Sequence, residues 1–76
     1  MKILVEKYAF DTTQSPPVYC NQTIVKTDGG IEHFIDDVLR AQVSTPNVLD
    51  YFDTPNLSQM MTVDEMRKIR SEFTDF

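Results

Sequence analysis

Residues 28–43 read DGGIEHFIDDVLRAQV, and the fold turns on this stretch. Ile31, Phe34, Ile35, Val38 and Leu39 recur at i, i+3, i+4, i+7 and i+8, a spacing that gathers five apolar side chains on one face of a helix. Glu32, Asp36 and Asp37 fall on the remaining surface, and Asp28 stands just before it. The stretch therefore predicts an amphipathic helix with an acidic outward face. Asp36 precedes Arg40 by four residues, a helical ion pair worth roughly 0.2–0.5 kcal/mol. Asp28 or Gly29 can cap its start, and Ser44-Thr45-Pro46 stops it.

Upstream, residues 2–10 (KILVEKYAF) favour a strand, because Ile3, Val5, Tyr8 and Phe10 are β-branched or aromatic. Ile3 and Val5 fall on one face, while Leu4, Tyr8 and Phe10 fall on the other, which suits a strand partly covered on both sides. Pro16-Pro17 makes 11–17 a loop, and 18–27 (VYCNQTIVKT) reads as a second strand that can pair antiparallel with the first. Downstream, 47–53 predicts a short helical turn with Val48, Leu49 and Phe52 inward, ended by Thr54-Pro55. Thr62-Val63-Asp64-Glu65 fits a capping box, with Met61 and Met66 spaced as a hydrophobic staple. Val63, Met66, Ile69 and Phe73 are the expected inner stripe of that last helix. The expected fold is α+β, with an antiparallel two-stranded β-hairpin packed against two main helices and a short intervening helical turn, in the order ββααα.

Seventy-six residues make one domain with a small core, and a deep substrate cleft would compete with that core for the same apolar side chains. Cys20 is the single cysteine, and the run Ile3-Leu4-Val5 is too short for a signal-peptide core or membrane span. Both point to a reducing cytoplasmic setting. Twelve acids against seven bases give a net charge of −5, which disfavours non-specific attraction to nucleic acid or an anionic membrane and favours a protein partner with a basic patch.

Chemistry-bearing residues are few. His33 has Asp36 and Asp37 three and four residues further on, but it reads more simply as a surface histidine than as a general base. Cys20, on a strand, reads as a packing residue. Glu32, His33, Asp36 and Asp37 lack the second Cys/His pair or the EF-hand spacing that a specific metal site needs. No catalytic residue, cofactor or metal is therefore assigned. The cluster Arg67-Lys68-Ile69-Arg70 is flanked by Asp64, Glu65 and Glu72, and fits a surface helix of alternating charge better than a nucleic-acid contact. These cations could also neutralise the acidic stripe from within the molecule. Met60-Met61 and Phe76 are further apolar residues that a small core would recruit.

No motif matches a family. Size, acidity and the lack of catalytic motifs look like the general profile of small accessory proteins encoded by bacteriophages and other mobile elements, many of which block one host protein. The leading expectation is a non-enzymatic inhibitor or modulator that docks through Asp28, Glu32, Asp36 and Asp37, with Tyr51 and Phe52 as apolar anchors. A homodimer or assembly subunit, formed by pairing one of the two strands with its copy, is the alternative. A DNA mimic is less favoured, since one acidic helix is thin for a phosphate array. A small hydrolase using His33 with Asp37 or Cys20 ranks last.

Overall fold

Residues 28–43 do not form a helix. In the computed structural model, which describes residues 1–73, they turn out of one strand and form most of a β-hairpin. Four strands, β1 (Lys2–Asp11), β2 (Val18–Thr27), β3 (Gly30–Ile35) and β4 (Val38–Ser44), make an antiparallel sheet in sequence order. A 3-10 turn (Thr45–Asn47) leads into α1 (Val48–Phe52), α2 (Pro55–Met60) and α3 (Val63–Glu72). The α+β class stands, but the hairpin of two strands is corrected to a sheet of four, in the order ββββααα.

Two short connections explain the difference. Thr27 pairs with Gly30 and Ile35 with Val38, so Asp28-Gly29 and Asp36-Asp37 are each the two-residue loop of a hairpin. Asp36 and Asp37 have φ of 50° and 66°, the left-handed backbone that a type I′ turn requires at both central positions. Aspartate is among the few non-glycine residues that tolerate it. Asp36 is also tied to β2: its N–H donates to the Asn21 carbonyl at 2.8 Å, and its Oδ1 accepts from the Asn21 N–H at 2.9 Å. At the other end Gly30 lies so close to β4 that a Cβ there would meet the Val43 carbonyl oxygen at 1.9 Å. Only glycine fits that approach.

The period along β3 is two. Ile31, His33 and Ile35 are buried, while Glu32 and Phe34 between them are half-buried on the opposite face. Ile31 and Ile35 satisfy the helical spacing and the strand alternation equally, and this is why the two readings compete. The register shift between His33/Ala41 and Phe34/Leu39 leaves Arg40 as an extra residue, a β-bulge. A second shift in β1 leaves Leu4 unpaired between Ile3, opposite Val25, and Val5, opposite Ile24. That bulge corrects the expected faces: Leu4, Val5, Ala9 and Asp11 are buried, whereas Ile3, Tyr8 and Phe10 are exposed. The strand is covered on one side, not both.

All three helices lie on that covered side. Val5, Ile24, Ile31 and Ile35 of the sheet join Val48, Phe52, Leu57 and Ile69 in one core. The expected boundary of α3 holds. Thr62 Oγ1 accepts from the Glu65 N–H at 3.2 Å, and Glu65 Oε1 accepts from the Thr62 N–H at 2.8 Å. Ile69 and Phe73 are buried and Met66 packs against the core, but Val63 is exposed. Six residues at roughly 100° each place Val63 about 120° round the helix from Ile69, off the inner face. The expected turn at 47–53 is α1, with Val48 and Phe52 buried and Leu49 partly so. Phe76 lies outside the described residues.

The turn at 36–37 makes a substitution diagnostic. Asp37→Gly removes left-handed strain and leaves the Asp36 bonds in place, so it raises unfolding stability by roughly 0.5–1 kcal/mol in a denaturant titration. In the middle of a helix the same change would lower stability by roughly 0.3 kcal/mol, since aspartate is itself a poor helix former. The sign decides between the two.

Candidate functional site

The face of the sheet turned away from the helices is uncovered, and aromatic rings stand among its polar side chains. The register places Phe10 opposite Tyr19, Tyr8 opposite Asn21, Glu6 opposite Thr23 and Ile3 opposite Val25. Phe34 and Leu39 continue the Thr23 row, and Glu32 and Gln42 the Val25 row. Tyr8 is 69 % exposed, Tyr19 61 %, Phe10 56 % and Ile3 54 %, with Leu39 close behind. Tyr8 stacks on Tyr19 with centroids 5.6 Å apart and planes 12° apart, and Phe10 meets Tyr19 edge-on at 5.4 Å. Such pairs hold one another in place, so the rings form a preset platform. An antiparallel sheet that packs on one side usually turns polar side chains to water on the other. This one turns rings.

Charge is sorted between the two faces. Lys2 and Lys26 reach Glu72 of α3, Lys26 at 3.6 Å, and Lys7 reaches Glu65. Arg40 sits 3.6 Å from Asp11. Every cation of the sheet is thus drawn to the helix side. Glu6 and Glu32, whose strand neighbours turn toward the helices, are left on the open face, with Asp28 and Asp36-Asp37 in the turns.

The expected docking residues do not form one patch. Asp28 lies in the β2–β3 turn and Asp36 and Asp37 in the β3–β4 turn, at opposite ends of a six-residue strand. That length separates them by about 20 Å. Glu32 sits between them on the open face. Tyr51 and Phe52 are on the helix side, where Tyr51 is half-buried and Phe52 is a core residue, so neither is an anchor beside Glu32. The stripe required a helical period, and the strand dissolves it. Arg67 pairs with Asp64 at 4.0 Å and Arg70 with Asp53, so these cations do not neutralise residues 28–37. The residues that sequence reasoning missed are Tyr8, Phe10 and Tyr19. Their signal was present in the alternation of Glu6, Tyr8 and Phe10 along β1.

His33 is corrected from a surface to a buried residue. Its Nδ1 lies 2.6 Å from the Tyr51 hydroxyl and its Nε2 3.1 Å from Gln22 Oε1. A neutral ring satisfies both when Nδ1 accepts from Tyr51 and Nε2–H donates to Gln22. Asp36 and Asp37 are not its partners. Burial, aided by the Arg40 charge and opposed by Asp11, pushes the imidazole down to about 4. Burial also raises the Tyr51 hydroxyl. Among the described residues the Gln22 Nε2 finds no hydrogen-bond partner. Cys20 is buried, and burial followed by the Asp11 and Asp36 charges raises its thiol, so a thiolate is disfavoured. His33 pairs with Ile24, four residues along β2 from Cys20, or about 13 Å at strand rise. The pair that the hydrolase reading needs is not assembled.

Asp11 is also fully buried. Burial pushes its carboxyl up, but hydrogen bonds from Thr13 and Gln14, with Arg40 nearby, more than offset this and hold it below the usual range. Among the described residues no group of three His, Cys, Asp or Glu side chains is placed to hold a metal. Among them, too, no helix is long and apolar enough to cross a membrane.

No family model matches the chain, and no significant match was found among curated proteins or solved structures. The molecule is defined by its own architecture: a ββββααα domain with helices on one face of its sheet and an aromatic, anionic face on the other.

The buried histidine gives the domain a pH dependence of definite sign. Unfolded, the imidazole titrates near 6.5, and folded near 4, so the unfolded chain binds more protons between those values. The contribution is complete above pH 6.5 and is lost as pH falls toward 4, amounting to roughly 3 kcal/mol. Urea titrations at pH 7, 5.5 and 4.5 measure it. A stability unchanged between pH 7 and 4.5, with the His33 ring titrating near 6.5 by NMR, would contradict the buried neutral ring.

Proposed function

We propose that this protein is a non-enzymatic interaction module that docks on another protein through the open face of its sheet. The observation that supports this reading is the exposed cluster of Tyr8, Phe10 and Tyr19, with Ile3 and Leu39 also exposed on the same face. Clustered exposed rings of this kind mark interaction sites, and aromatic residues are over-represented among the side chains that dominate binding energy. Solvating such a face without a function would favour aggregation.

The partner is a protein surface with an apolar centre flanked by Lys or Arg. Glu6 and Glu32 are the charges of the face, and the sheet's own cations are engaged on the other side. A second copy would bring its acidic residues against these and be repelled. A nucleic acid would be repelled more strongly. The partner expected from composition is retained, but the residues that meet it change. Of the six proposed earlier, Glu32 remains central, Asp28, Asp36 and Asp37 become rim charges, and Tyr51 and Phe52 drop out. The modulator role and the cytoplasmic setting belong to the same proposal. A sheet extended to four strands by dimerisation loses its motive, because one chain already supplies four.

The test is affinity capture from the native cellular background, followed by binding measurements with the recovered protein. Tyr19→Ser and Phe10→Ser should each weaken binding at least tenfold, while cross-strand ring contacts of this kind limit the stability cost to about 1 kcal/mol. Glu6→Lys with Glu32→Lys should slow association and flatten its salt dependence. Lys68→Ala, on the far side of the molecule, should change nothing. Binding that survives both ring substitutions in folded protein contradicts the reading. Sedimentation of the pure protein as a dimer that Tyr19→Ser dissociates would replace the partner with a second copy.

A further inference from the structure

The β4 bulge has a consequence on the other side of the sheet. Leu39 pairs with Phe34 on the open face, and Ala41 pairs with His33 toward the helices. The extra residue, Arg40, is thereby aimed at the helix side, where its NH2 lies 3.4 Å from Thr13 Oγ1 and its NH1 3.6 Å from Asp11 Oδ2. Bulges commonly re-aim a side chain in this way beside functional sites. Here the side chain is delivered to the mouth of a cleft of about 280 Å³ between β3, β4, the β1–β2 loop and α1–α2.

The cleft has an apolar lining and one charge. Ile35, Ala41, Leu57 and Met60 supply the apolar surface. Thr13, Thr54 and Asn56 add neutral polar groups, and His33 and Tyr51 satisfy one another. Arg40 is the one charged side chain among the described residues of the lining. Asp11 is fully buried, and its oxygens accept from the Thr13 N–H, the Thr13 hydroxyl and the Gln14 amide. Its contact with the guanidinium is longer than a hydrogen bond. Asp11 therefore holds Arg40 in place while leaving most of its five N–H donors for another acceptor.

We propose that this cleft binds a small organic monocarboxylate, with its hydrocarbon body on Ile35, Ala41, Leu57 and Met60 and its carboxylate on the Arg40 guanidinium. The planar fork of arginine matches a carboxylate bidentately. A cation finds no acid among the described residues of the lining. A dianion would leave excess negative charge beside buried Asp11 in apolar surroundings. The volume, at the small end of ligand pockets, admits a molecule of the size of hexanoate or benzoate. This site is independent of the docking reading, since it lies on the other face of the sheet.

The experiment titrates isotope-labelled protein with sodium hexanoate and sodium benzoate, and in parallel with 1-hexanol and benzyl alcohol, at constant ionic strength. Both carboxylates should give saturable NMR shifts at residues 35, 41 and 57, with affinities about tenfold above those of the matched alcohols. Arg40→Gln should reduce carboxylate affinity about tenfold, to the level of the alcohols. Ala41→Met should block the cleft to both classes while leaving Arg40 in place, and so carries the test if Arg40→Gln does not fold. The proposal is overturned by unsaturable or scattered shifts, by alcohols binding as tightly as the acids, by unchanged affinity in folded Arg40→Gln, or by undiminished binding in Ala41→Met.

Discussion

Two consecutive aspartates in left-handed backbone set the register of everything that follows β2. With Asp36 and Asp37 both at positive φ, the chain must reverse within two residues. Ile35 then faces Val38, and β3 acquires a period of two. A shift of one residue would send Ile31, His33 and Ile35 to the open face and Glu32 and Phe34 into the core. The two hydrogen bonds between Asp36 and Asn21 lock this turn to the preceding strand. Register, core and open face are therefore one constraint.

From that register follows the sorting of charge. α3 lies over the helix side of β1 and β2, and its Glu65 and Glu72 draw Lys2, Lys7 and Lys26 toward it. Partly exposed pairs of this kind add little stability each. Their larger effect is on the other face, which keeps rings and carboxylates but no cation from the sheet. The net charge of −5 states that excess acid exists. Only the fold states where it is displayed.

Much of the fold was legible in local sequence. The second strand, the loop before it (12–17, one residue shorter than expected because Asp11 ends β1), α1 and the capping box of α3 depend on short-range propensity and cap chemistry. Residues 28–43 were not legible in the same way, because Ile31 and Ile35 fit both periods. What decided between them is non-local: β2 carries an edge that needs a partner, and Asp36 finds its hydrogen bonds on Asn21. The candidate site suffered from the same ambiguity. An acidic helix face placed Asp28, Glu32, Asp36 and Asp37 together, whereas a strand distributes them over the ends and centre of a hairpin. Tyr8 and Phe10 alternate visibly in β1, but the bulge at Leu4 sets which face they share with Ile3.

The hairpin is most directly tested by NMR on the unmodified protein. Cross-strand nuclear Overhauser contacts between residues 31 and 43 and between 33 and 41, with the large backbone couplings of extended chain through 30–35, are the result this structure requires. Contacts between residues three apart along 31–39, with the small couplings of a helix, would contradict the sheet and, with it, the aromatic face on which the proposed docking depends.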